Sequence, residues 1–123
     1  MFWETIKYFK PEEFDSPDRS GSGIMMSHLL IKLLEELRVK LNEPIKINSG
    51  YRTKEHNEKL KGAVENSAHT RGLAVDITCP DSSYRYVLVK AAIEIGFLRI
   101  GVGRDFLHLD MDEEKPQAVV WLY

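Results

Sequence analysis

The chain has 123 residues, of which 43% are hydrophobic and 29% charged, with a formal net charge of -2 at neutral pH. That length suits one ordinary globular domain burying roughly 65% of its unfolded surface. The composition is not that of a disordered chain, and the charge is not the basic balance of a nucleic-acid or anionic-membrane binder. Cys79 is the only cysteine, which excludes an internal disulfide and a four-cysteine zinc site and leaves the redox compartment open.

The opening MFWETIKYFKPEEF interrupts its apolar residues with Glu4, Lys7, Lys10, Glu12 and Glu13, so it lacks the apolar run of a secretory signal. No window approaches the roughly 20 apolar residues that span a bilayer. Residues 1–22 are expected to form an N-terminal arm and loop, with SPDRSGSG as the most turn-like stretch. HLLIKLLEELRVKL then predicts a helix with Leu29, Leu30, Leu33, Leu34, Leu37 and Leu41 toward the core and Lys32, Glu35, Glu36 and Arg38 opposite. Ser27 is its expected cap, and it is expected to end near Asn42, before Pro44.

Ile45 and Ile47 alternate with polar neighbours, as in a short strand, and Thr53 is placed to cap a short polar helix through KEHNEKLK, followed by a loop. GLAVDIT predicts a second strand with Val75 and Ile77 on one face and Ala74, Asp76 and Thr78 on the other. A helix from about Ser83 to Ile95 has Leu88, Ala91, Ala92 and Ile95 inward and Gly96 as its stop. FLRIGVGRDFLHLDM predicts two strands around a Gly103-Arg104 turn, with His108 and Asp110 sharing a face, and AVVWLY completes the sheet. The expected class is α+β, a small, mostly antiparallel sheet flanked by helices, because strand-helix-strand repeats are too few for a doubly wound fold.

His69, Asp76 and His108 supply two imidazoles and one carboxylate, a donor set that suits Zn2+ with one position left open. Gly72 permits the chain to turn between the loop histidine and the strand aspartate, and Ala74 leaves room on the metal side. Each histidine also has an ordinary reading, His69 as a loop hydrogen-bonding group and His108 as a polar position in a sheet. Asp105, three residues before His108, faces away in an ideal strand, so joint action requires it to sit at the turn; there a carboxylate suits proton transfer. Arg52 at a strand end suits a carboxylate or oxyanion clamp, or equally a surface pair with a glutamate. Tyr51 is expected to pack the site wall. Cys79 has no base singled out for it and is not read as a nucleophile.

INSGYRTKEHN, SAHTRGLAVDI and DFLHLD together resemble the M15 family of zinc peptidases, the D-alanyl-D-alanine carboxypeptidase and peptidoglycan endopeptidase group. Ser67, His69, Gly72, Ala74 and Asp76 match that family's serine-histidine-glycine-alanine-aspartate spacing in full, and Asp105 with His108 matches its downstream acid and histidine. The resemblance implies that His69, Asp76 and His108 ligate zinc, that Asp105 is the general base, and that Arg52 clamps substrate or transition state. It gives Ser67 a supporting role in the metal loop and His56 no place on the metal; His28 is read as unrelated to it. Some relatives carry glutamate where this chain has Asp105.

The expectation is a single zinc peptidase domain over residues 1–123 that hydrolyses a peptidoglycan peptide bond, most nearly as a D-alanyl-D-alanine carboxypeptidase. The alternatives are an endopeptidase of endolysin or tail-associated type and a non-catalytic zinc-binding module. The expected partner is a peptidoglycan stem peptide, without nucleic acid or membrane, and the protein is expected to be a monomer. With neither signal nor membrane span, it is expected to be cytoplasmic at synthesis and to reach the wall by release or by another factor, as in phage-type forms.

Overall fold

The computed structural model describes residues 1–123. Helix α1, His28–Leu41, begins where the Ser27 side chain accepts from the Leu30 amide and ends at Asn42 in the left-handed region. Its buried face is Leu30, Ile31, Leu34 and Leu37. Leu29 is 58% exposed, so the stripe is rotated from the expected one. The segment has more apolar residues than one helical face accommodates, and Ile31 takes the inward place expected of Leu29.

Strand β1, Ile47–Ser49, leads to the short helix α2, Lys54–Lys59, whose cap Thr53 accepts from the His56 amide. Strand β2, Ala74–Thr78, precedes α3, Ser82–Ile95, which is capped by Asp81 and stopped by Gly96 at φ 114°. Strands β3, Arg99–Val102, and β4, Phe106–Asp110, form the expected hairpin, and β5, Val119–Leu122, completes the sheet. The order is β1-β2-β4-β3-β5, antiparallel throughout except for the parallel β3-β5 pair. This is an α+β architecture.

One core joins Leu30, Ile31, Leu34 and Leu37 of α1 and Leu88, Ala91 and Ala92 of α3 to Val75, Ile77, Ile100, Leu107 and Leu109 of the sheet. Each fully buried leucine or isoleucine contributes about 1.5–3 kcal/mol. The N-terminal region forms three short 3-10 turns, Phe2–Thr5, Pro11–Phe14 and Ser22–Met25, and Phe9, Phe14 and Met26 enter the same core. Because strand side chains alternate, the core residues occupy one face and Asp76, His108 and Asp110 are left on the other. No helix is long and apolar enough to cross a membrane.

Candidate metal centre

Unbroken β2-β4 pairing sets Asp76 directly opposite His108. His69 comes from the 3-10 turn Ala68–Arg71, where the Ser67 hydroxyl accepts from the His69 amide at 3.2 Å. Gly72 closes that turn at φ 70°, and a Cβ there would run into the Met25 carbonyl; both constraints demand glycine. The three side chains are buried, and their potential ligand atoms lie within 4.8 Å of one another.

The surrounding acceptors decide which nitrogens face inward. His69 Nδ1–H donates to the Gly50 carbonyl at 2.7 Å, leaving Nε2 3.4 Å from Asp76 Oδ1. His108 lies between two carboxylates, with Nε2 2.6 Å from Asp110 Oδ2 and Nδ1 2.8 Å from Asp76 Oδ1; the tautomer protonated on Nε2 donates to Asp110 and leaves Nδ1 turned inward. Each imidazole is thus held by its outer nitrogen and offers its inner one toward a shared carboxylate, the arrangement of metal-ligating histidines. The residues fit a divalent metal.

Electrostatics agree with that geometry. For Asp76, burial pushes the pKa up, but hydrogen bonds and charge from His108 and His69 outweigh it and hold the carboxyl well below its usual range. For His108, burial opposes the charged form, yet Asp110 and Asp76 on either side prevail and raise the imidazole above its ordinary value.

Arg52 follows β1 and points to the same place. Its Nη2 donates to Asp76 Oδ2 at 3.2 Å, Nε to Ser49 Oγ at 3.2 Å and Nη1 to Asn57 Oδ1 at 3.5 Å. The expected alternative, a surface pair with a glutamate, is replaced by a part-buried pair with a candidate ligand. Around these groups is a cleft of about 460 Å³, whose wall includes Arg52, Lys61, Lys115, Phe106, Trp121 and Tyr123.

Asp105 does not line this cleft. It is exposed at the bend before β4, and its carbonyl accepts from the Cys79 amide. The regular pairing of Thr78 with Phe106 leaves no bulge to bring Asp105 onto the His108 face. Tyr51 packs against the hydrophobic core rather than the cleft. His56 lies in α2 away from the cleft wall, and His28 stacks on Phe2 at a centroid distance of 3.8 Å.

Sequence reasoning gave no role to Gly50, Asp110, Arg99 or Trp121. The Asp110 signal was its place two residues after His108, on the same strand face. A carbonyl such as that of Gly50 leaves no side-chain signal at all. Arg99 became visible only once the hairpin register set it beside Asp110, where its Nε donates to Oδ1 at 2.7 Å.

No curated protein matches the chain. The family model for peptidase M15 matches residues 7–110, a span that includes the core-forming part of the N-terminal region, all three candidate ligands and Arg52. With most of its 123 residues under that match and a two-histidine, one-aspartate cluster at the sheet face, the chain belongs to the peptidase M15 family.

Proposed function

We propose that this peptidase is zinc-dependent and hydrolyses a peptidoglycan stem peptide, releasing a carboxy-terminal D-alanine. The observation that supports this most directly is the convergence of His69 Nε2, His108 Nδ1 and the Asp76 carboxylate at a cleft whose wall carries Arg52. When held by these side chains, zinc supplies a Lewis acid that polarises a carbonyl and lowers the pKa of water. Gly50 and Asp110 keep the two imidazoles turned inward.

Three hydrogen bonds orient the Arg52 guanidinium, and the remaining N–H donors of this five-donor group are free to hold a substrate carboxylate or developing oxyanion. Lys61 adds positive charge to the cleft wall, which suits a substrate ending in a free carboxylate; Lys115, also on that wall, is paired with Asp112 at 3.1 Å. Activity of zinc-loaded protein on purified peptidoglycan, followed by mass spectrometry, tests this reading. Free D-alanine is the expected product; internal fragments alone would reassign the enzyme as an endopeptidase, and no hydrolysis would leave only metal binding.

Asp105 is proposed as the acceptor of the attacking water's proton. The Asp76 and Asp110 carboxylates are both occupied by fixed partners, whereas Asp105 is exposed. Its carboxylate lies outside the cleft in this structure, and the role rests on the three-residue Asp105–His108 spacing shared with the M15 peptidases. Asp105→Asn is therefore expected to retain zinc and lose activity by on the order of 100-fold. Turnover within about twofold of the parent, at equal zinc content, would remove Asp105 from the reaction on the same general-base scale.

A further inference from the structure

We infer that Asp110 and Arg99 are positioning residues that determine which nitrogen of His108 is presented to the metal. This inference rests on the zinc-site reading. His108 has two chemically similar nitrogens, and only the tautomer carrying its proton on Nε2 leaves Nδ1 free to face Asp76 and His69. The proton must therefore be held on the outer side by an acceptor that does not rotate away. Asp110 Oδ2 is that acceptor, at 2.6 Å from His108 Nε2.

Asp110 is itself held in place. Its Oδ1 accepts from Arg99 Nε at 2.7 Å and from the Asp112 amide at 3.0 Å. Arg99 is only 8% exposed; its Nη1 donates to the Pro116 carbonyl at 2.7 Å, and its guanidinium lies 4.7 Å from the centroid of the Trp121 ring. Trp121 also packs against His108 at 5.5 Å between centroids. The chain Trp121, Arg99, Asp110, His108 thus runs from β5 across β3 to β4 with a fixed partner at each step. A salt bridge serving the fold alone would need only the Arg99 contact, whereas Asp110 uses separate oxygens for Arg99 and His108.

Asp110→Asn isolates the inference because it removes one acceptor at nearly constant shape. Asparagine has a single carbonyl oxygen, and the two donors Arg99 Nε and the Asp112 amide compete for it against His108. If they retain it, the amide NH2 is turned toward His108 Nε2, which favours the tautomer with its proton on the ligating Nδ1. Arg99→Lys is a milder second variant that keeps positive charge beside Asp110 but loses the planar fork that also reaches Pro116.

The test is zinc affinity of parent and variants, measured by competition with a chromophoric chelator, together with the visible spectrum after cobalt substitution and the melting temperature of the metal-free proteins. Asp110→Asn is expected to weaken zinc binding by about 10- to 100-fold and alter the cobalt spectrum. Arg99→Lys is expected to change both in the same direction, by less. Should Asp110→Asn not fold, the folded Arg99→Lys protein decides. A folded variant that loses melting temperature but keeps the parent's zinc affinity and cobalt spectrum overturns the inference, because its contacts then serve only the fold. A parent that binds no zinc would instead refute the underlying site assignment.

Discussion

His108 lies between Asp76 and Asp110, and in the proposed zinc site that position would link its protonation to metal binding. Burial works against the imidazolium, but the two carboxylates hold the pKa above the ordinary 6.5. Ligation through Nδ1 would require that nitrogen to be unprotonated, so in the proposed site zinc binding would release a proton when the pH lies below the raised value. Calorimetry in buffers of different ionisation enthalpy is expected to show net proton release on zinc binding that declines as the pH rises through the raised value; release near zero throughout would mean that His108 is already neutral. Arg52 gives a separate prediction. Arg52→Lys keeps the charge but cannot reproduce the three-directional hold on Ser49, Asn57 and Asp76. Hydrolysis of short substrates ending in D-alanyl-D-alanine is expected to fall, and amidating their terminal carboxylate is expected to slow the parent much more than the variant. Equal parent rates on acid and amide would exclude the carboxylate clamp. The candidate ligands are legible because Asp76 and His108 occupy alternating strand positions with a polar face. The orientation of His69 is not, since it depends on the Gly50 carbonyl nineteen residues away.

Gly101 on β3 shows how strand register creates a site wall that no single segment encodes. It pairs with His108 on one side and Trp121 on the other, so Asp76, His108, Gly101 and Trp121 lie in one row across four strands. A Cβ at Gly101 would fall 2.6 Å from the Tyr123 ring and 2.7 Å from that of Trp121. Both rings occupy the space left by the missing side chain and approach His108, at centroid distances of 6.2 and 5.5 Å. Gly101→Ala is expected to displace them at a stability cost of about 1–3 kcal/mol. A shift in tryptophan emission with a higher KM and retained zinc would identify the rings as part of the substrate wall; unchanged emission and kinetics would show that they adjust without consequence. Helix and strand existence was readable from local periodicity, including the caps at Ser27, Thr53 and Gly96. The face of α1 and the pairing of Arg99 with Asp110 were not, because excess apolar residues blur a helical stripe and cross-strand register depends on the assembled sheet.

At the scale of the molecule, the N-terminal region connects the core to the site. Phe14 is fully buried, and its carbonyl accepts from the Tyr51 amide at 2.8 Å. A Cβ on Gly50 would lie 2.8 Å from the Phe14 Cα and Cβ, so the close approach of these segments requires glycine. Beside them, the Ser16 hydroxyl accepts from the Thr53 amide at 3.0 Å, while the Thr53 hydroxyl donates to Asp18 at 2.6 Å. These contacts bracket Gly50 and Arg52, which hold His69 and Asp76 respectively. Phe14→Ala is expected to destabilise the metal-free protein by about 3–5 kcal/mol through lost burial and cavity formation. Zinc stabilises a native state that binds it in proportion to the logarithm of free metal over Kd, so the zinc-induced rise in melting temperature reports whether the same substitution also reaches the centre. At fixed free zinc and with variation in unfolding enthalpy taken into account, that rise is expected to be smaller for Phe14→Ala than for the parent, because the Gly50 carbonyl loses the packing that aims it at His69. An undiminished rise, confirmed by equal zinc affinity below both melting transitions, would confine the N-terminal region to supporting the fold.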